Sequence, residues 1–181
     1  MRQYVLKAWE NIDPIYDRIR NFTSIETEDN ISVFRVLLTR YRGPKHELAD
    51  GNIISKGDYL VRIHLHNIRL LQYLHPIKSS LKRTFMLYEM VKNALPKLAK
   101  YIQDHELSNK IKGICGVTML NKIVERLGFE IRPVTNPFYR LMKYFSQSPI
   151  HFLATGSIAN IFEKRKVSYL FMSKNQLLAL L

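Results

Sequence analysis

The sequence predicts an α/β (α+β) domain with a mixed, mostly antiparallel central sheet and flanking helices. Three observations carry that expectation. β-Branched and aromatic runs are bounded by Gly, Asp and Asn; one long stretch repeats apolar residues every three or four positions; and a glycine-bearing apolar run is followed by helical and then strand patterning. With 181 residues, 46% hydrophobic and 11% aromatic, the chain has apolar surface enough to bury one core, so a single domain over 1–181 is expected.

The elements follow in order. Val5, Leu6, Trp9 and Ile12 recur at helical spacing, and Asp13-Pro14 supplies a cap and a first-turn proline for a second short helix through about Arg20. Ile31 to Arg42 reads as a long strand closed by Gly43-Pro44. Lys45 to Ala49 and Ile53-Ile54 flank the turn signal Asp50-Gly51, and Lys56-Gly57-Asp58 is another. Tyr59 to His66 alternates, with Tyr59, Val61, Ile63 and Leu65 on one face and Leu60, Arg62, His64 and His66 on the other. Three successive antiparallel strands are the expected arrangement.

Ser80 to about Asp104 places Leu81, Phe85, Tyr88, Val91, Leu95, Leu98 and Ile102 on one helical face, with Pro96 expected to kink or break it. Ile111 to Thr118 reads as a buried strand, Met119 to Leu127 as a helix closed by Gly128, and Phe129 to Val134 as a strand stopped by Pro133. That succession predicts parallel pairing of its two strands through a right-handed crossover. A last strand is expected over Val167 to Ser173, after a helical or irregular stretch to Lys143 and a loop around Ser146 to Gly156.

Charge narrows the partners. The formal net charge is +13, from 28 Lys and Arg against 15 Asp and Glu, and it is spread through the chain rather than gathered in a tail. Such a field suits an anionic ligand or a membrane surface. Nucleic acid is the weaker expectation, because no RNP-like aromatic pattern accompanies the charge. No stretch approaches the roughly 20 apolar residues of a membrane span, and Lys7, Glu10 and Asp13 interrupt any leader-like segment. With Cys115 as the one cysteine, the reading is a cytoplasmic protein without an internal disulfide.

The site-like segment runs from Asp50 to Asn67. His64 and His66 lie two apart on one strand and project to the same face, about 7 Å apart. Histidine serves proton transfer near neutral pH, so His64 and His66 are the candidate catalytic pair. Arg62 and Asn67 beside them, and Asp50, are the candidate substrate-binding residues. No third ligand stands at a telling spacing, so no metal is assigned. The bland alternative makes His64 a buried residue bonded to backbone or to Asp58, leaves His66 exposed, has Asn67 cap a turn, and reads Asp50 and Asp58 as turn formers. Cys115 reads as a small buried side chain.

The order of elements resembles the N-acetyltransferase fold of the GNAT type, and Leu127-Gly128-Phe129-Glu130 is similar to a helix-to-strand junction late in that fold. The resemblance implies acetyl-CoA held by its pyrophosphate on a glycine-rich loop that opens the long helix. No glycine occurs between Gly57 and Gly113, and Met119 to Leu127 has no tyrosine to serve as acid, so the cofactor is left unassigned. A second resemblance covers most of the chain. Asp50-Gly51, Gly57-Asp58 and His64-Leu65-His66-Asn67, with Lys112-Gly113-Ile114 and Leu127-Gly128-Phe129, are similar to the YkoP-like family, small bacterial proteins found also as a domain attached to polysaccharide deacetylases. It implies a setting in envelope polysaccharide metabolism and no mechanism. Two functions are therefore carried forward. One is an acyltransferase-like enzyme or degenerate enzyme linked to that metabolism; the other is a non-catalytic basic module recruiting a partner protein or an anionic surface.

Overall fold

The computed structural model describes residues 22–26, 32–74, 76–118, 120–136 and 167–181. The two helices expected before Arg20 and the irregular stretch from 137 to 166 lie outside these residues. Strands β1 (Thr23–Glu26), β2 (Ser32–Arg40), β5 (Tyr59–Leu65), β6 (Ile111–Thr118), β7 (Glu130–Pro133) and β8 (Ser168–Ser173) form one sheet in the order β1-β2-β5-β6-β8-β7. Strands β3 (His46–Glu47) and β4 (Ile53–Ile54) make a separate two-stranded hairpin. All pairings in the large sheet are antiparallel except β5 with β6.

The helices are α1 (Asn67–Leu74), α2 (Ser80–Asp104), α3 (Asn121–Arg126) and α4 (Lys174–Leu178). Parallel neighbours need a crossover, and α1 and α2 supply it between β5 and β6. The Ser79 hydroxyl caps α2 by accepting from the Lys82 N–H at 3.3 Å. Pro96, expected to kink or break the helix, does not break it: α2 continues through it to Asp104. The proline removes one backbone bond, while buried Leu95, Leu98, Ala99 and Ile102 around it hold the helix on the sheet. Among the described residues no helix is long and apolar enough to cross a membrane.

The expected parallel pairing of Ile111–Thr118 with Phe129–Val134 is corrected. β8 lies between β6 and β7 and pairs antiparallel with both, so those two strands run parallel without touching. The apolar, β-branched-poor sequence of β8 fits an interior strand: Leu170, Phe171 and Met172 are all buried. The expected run of three antiparallel strands is also revised, since β2 pairs directly with β5 and the hairpin between them leaves the sheet.

Ladder partners share a face, which fixes the two sides of the sheet. Val61, Ile63, Ile114, Leu170 and Met172 pack with the buried stripe of α2 and with Leu70 and Leu74 of α1 in the main core. The opposite face carries Leu60, Arg62 and His64 of β5, Arg35 of β2, Cys115 of β6, and Phe171 of β8. The β3–β4 hairpin lies across part of it, with Leu48 and Ile54 buried against Leu60, Cys115 and Phe171. Gly51 (φ 78°) and Gly57 (φ 98°) take the left-handed conformations that its two turns require.

In the β6–β8 ladder Gly113 stands opposite Ser173. A Cβ at that position would press on the Met172 carbonyl and lie 3.1 Å from the Ser173 Cα, both backbone atoms that cannot swing away. Gly113→Ala is therefore expected to lower stability by roughly 1–3 kcal/mol, measured by denaturant unfolding. Lys112→Ala next to it, exposed, should stay close to wild type.

Candidate functional site

The site is best built from β5 outward. β5 pairs with β6 through Tyr59↔Ile111, Leu60↔Gly113, Val61↔Ile114 and Arg62↔Cys115, where their mutual ladder ends. Gly116 still sits against Ile63, close enough that a Cβ would meet its carbonyl oxygen at 3.0 Å. Beyond it, His64 and Leu65 pair with Arg35 and Phe34 of β2, and Val117 and Thr118 pair with Tyr169 and Ser168 of β8. Among the described residues the β5–β6 register thus ends at Arg62 and Cys115, short of the carboxyl ends of both strands. His64 stands on one bank and Val117 on the other.

Arg62, His64 and His66 share the face away from α2, as their alternation predicts. Their burial is the reverse of the bland expectation. His66 is buried and His64 is half-buried. The cause is Arg35 on the neighbouring strand, whose Nη2 lies 3.1 Å from His66 Nδ1 and 3.0 Å from Nε2. His64 instead meets Phe22 edge to face, with ring centroids 5.1 Å apart. Burial, then the charges of Arg35 and Arg69, push the His66 ring down to about 4, so it is neutral at physiological pH. A base that weak is ill-suited to proton abstraction near neutrality, which leaves His64 as the better-placed candidate. Arg35, lowered to about 10 by burial and by Arg69, keeps its charge.

Arg62, exposed, lies beside Cys115 and interacts with Tyr169 across β6. Burial pushes the Cys115 thiol up, although hydrogen bonding and charge from Arg62 oppose it. The cysteine is a buried side chain rather than a ready nucleophile. Asn67 opens α1 immediately after His66. The turn between β5 and that helix is thus one residue long, with no glycine in it. The segment that leads into the long helix α2 holds no glycine either, so a pyrophosphate loop of the acetyltransferase kind fits neither place.

The two aspartates of the segment stand elsewhere. Asp50 is at the hairpin tip, where its Oδ2 accepts from the Ser173 hydroxyl and its Oδ1 accepts from the Asn52 N–H at 3.1 Å. Ser173 pairs with Gly113, which pairs with Leu60, so Asp50 is placed toward the start of β5 and His64 toward its end. Burial pulls the Asp50 carboxyl up, but bonds from Ser173 and Asn52 outweigh it and hold it below the usual carboxylate range. Asp58 accepts from the Ser55 N–H at 2.7 Å and precedes β5, about 20 Å of strand from His64. Both act as turn and latch groups. Two further contacts fix the hairpin to β7, with the Ala49 N–H donating to Glu130 and Arg132 Nη2 donating to the Glu47 carbonyl at 3.3 Å.

Sequence reasoning missed Arg35 and Arg69. Arg35 sits 31 residues before His66 in an apolar run and carries no local signal. Arg69 follows Asn67 on a helix whose eight residues are too few for a clear period. Among the described residues, no group of three or more His, Cys, Asp or Glu is arranged to hold a metal ion.

Two outcomes follow. In an NMR titration the His66 ring should titrate near 4, and Arg35→Leu should raise that value; wild-type titration near the ordinary 6.5 would refute the arrangement. Above pH 6.5 the stabilisation by neutral His66 is complete. As pH falls from 6.5 to about 4, the unfolded chain gains a proton that the fold refuses, and stability should drop by on the order of 2–3 kcal/mol. Asp50→Ala should cost roughly 1–3 kcal/mol by leaving Ser173 and the hairpin tip without their acceptor, read from thermal unfolding, with His64 resonances unmoved.

Comparison with known proteins agrees with the second resemblance. The model of the YkoP domain matches residues 2–181. A relative from Bacillus subtilis (strain 168), described as an uncharacterized protein YkoP, is 44% identical over 177 residues, covering 98% of this chain and 96% of its own. No solved structure matches. The chain therefore belongs to the YkoP domain family.

Proposed function

We propose that this chain is an acyltransferase-like domain, an enzyme or a degenerate one, that takes an anionic sugar derivative of the cell envelope at the carboxyl ends of β5 and β6. One observation carries the reading. Among the described residues the register of the two parallel strands ends at Arg62 and Cys115, before their carboxyl ends, while each continues against its outer neighbour. In open α/β sheets the carboxyl ends of such strands, where the chain crosses over, are where ligands bind. The strand order, with a single central parallel pair bridged by a long helix, agrees with the acetyltransferase-like arrangement that the sequence resembles. The envelope setting rests on the YkoP-like resemblance and its association with polysaccharide deacetylases.

The residues favour an anion. Arg62, Arg35 and Arg69 bring positive charge to this end of the sheet, and the first turn of α1 holds no acidic residue. Charged side chains here replace the glycine-rich loop that would cradle a pyrophosphate, and no step through acetyl-CoA is derived. His64 is the group that would exchange a proton with a bound hydroxyl or amine, and Arg62 is the group that would hold the anion. Asn67 stands at the entrance to α1, within the same end of the sheet.

The test is ligand-induced stabilisation. A sugar nucleotide such as UDP-N-acetylglucosamine, a hexosamine phosphate and free CoA are each titrated into the wild-type chain. At a concentration about 100 times its dissociation constant, a true ligand should add about 2.7 kcal/mol of stability. Arg62→Ala should abolish most of the gain, and His64→Ala should keep binding while removing any turnover. The reading fails if none of the three stabilises the wild type at millimolar concentration, or if both variants respond as wild type does.

A further inference from the structure

The crossover leaves one surface that neither the core nor the β5–β6 site uses. α2 buries its apolar stripe only from Leu87 onward. Before that point Ser80, Leu81, Lys82, Thr84 and Phe85 are all exposed, so the first turns of the helix hold apolar side chains in solvent. Leu81 is 80% exposed and Phe85 is 62% exposed, one turn apart on the same side of the helix. Tyr73, near the end of the packed neighbour α1, is 49% exposed. Large apolar side chains gathered at a projecting tip are a marked departure from an ordinary soluble surface, where such residues occur singly.

The charges around them have one sign. Arg69, Lys78, Lys82 and Lys92 are exposed, and from residue 67 to residue 92 the sequence holds Glu89 as its one acid against five basic residues. Apolar side chains that protrude, ringed by cations on flexible stems, are the composition of an interfacial anchor: the former enter the acyl boundary while the latter meet headgroup phosphates. A protein partner would bring a groove shaped to this ridge, and a nucleic acid would use the rings but leave Leu81 in water. A fluid anionic bilayer accommodates all of these residues together.

We propose that the start of α2, with the end of α1, is a peripheral docking surface for anionic lipid bilayers, centred on Tyr73, Leu81 and Phe85 and flanked by Lys78 and Lys82. The proposal does not depend on the reading of the β5–β6 site. It turns a diffuse positive charge into a defined face and would hold the domain at a membrane with its long helix tip-first.

Cosedimentation with large vesicles tests it on the full chain. At about 0.1 M salt the protein should pellet with vesicles containing phosphatidylglycerol and stay in solution with pure phosphatidylcholine, and about 0.5 M salt should release it. The double variant Leu81→Ser/Phe85→Ser should lose about tenfold or more in partitioning, and Lys78→Gln/Lys82→Gln should lose several-fold. Because these four side chains are exposed, both variants should keep the wild-type thermal midpoint. The proposal is overturned if the wild type ignores phosphatidylglycerol vesicles at low salt, or if Leu81→Ser/Phe85→Ser binds them as well as wild type. It is equally overturned if light scattering shows a dimer that this double variant dissolves, or if Phe85 proves to be needed for retention by duplex DNA rather than by lipid.

Discussion

The parallel pairing of β5 with β6 is the constraint on which the other features depend. Parallel neighbours cannot be joined by a tight turn, so the chain must leave the sheet, travel back along it and re-enter. α1 and α2 make that journey, and because the return leg lies on one face, it determines which side of the sheet becomes the main core. The other face is left to the β3–β4 hairpin, which spans only part of it. The pairing also decides where strand ends come together, and there the ladder opens.

Polar chemistry on that second face is organised by burial as much as by charge. Arg35 and His66 share an interior position, and at physiological pH the guanidinium, with far the higher intrinsic basicity, is charged while His66 is neutral. His66 thus works as a neutral partner that seats an arginine beside His64. At the other end of β5 the same face is sealed by Asp50 and Ser173, a contact between the hairpin tip and the cap of α4. One strand therefore runs from a structural latch at its start to a candidate ligand site at its end.

Much of this was legible in the sequence, and the gaps have physical reasons. The limits of α2 were readable because apolar residues recur every three or four positions from Leu81 to Ile102, and Ile111–Thr118 because a short apolar run with two glycines suits a buried strand. The turns at Gly51 and Gly57 follow from residue types that tolerate positive φ. Strand order was not readable, because nothing local in Ser168–Ser173 says that it inserts between β6 and β7. β1 has four residues and one buried side chain, too little pattern to register. The candidate site was placed on β5 from its alternation, but the burial of its two histidines was inverted, since Arg35 is distant in sequence and looks like one more charge in a basic chain. Asp50, read as both a turn former and a candidate substrate-binding residue, makes the turn bonds, while its bond to Ser173, 123 residues away, lies beyond any sequence pattern.

The insertion of β8 has a consequence for how the molecule is made. β6 and β7 are synthesised early, and both present backbone donors and acceptors toward the gap that β8 later fills. Until residues 168–173 emerge, the nascent chain carries two unsatisfied strand edges and an incomplete Gly113 contact, the kind of surface that invites mispairing with other chains. Completion of the sheet is thus deferred until β8 has been synthesised. A delay between β7 and β8 lengthens the interval in which chaperones have to shield those edges.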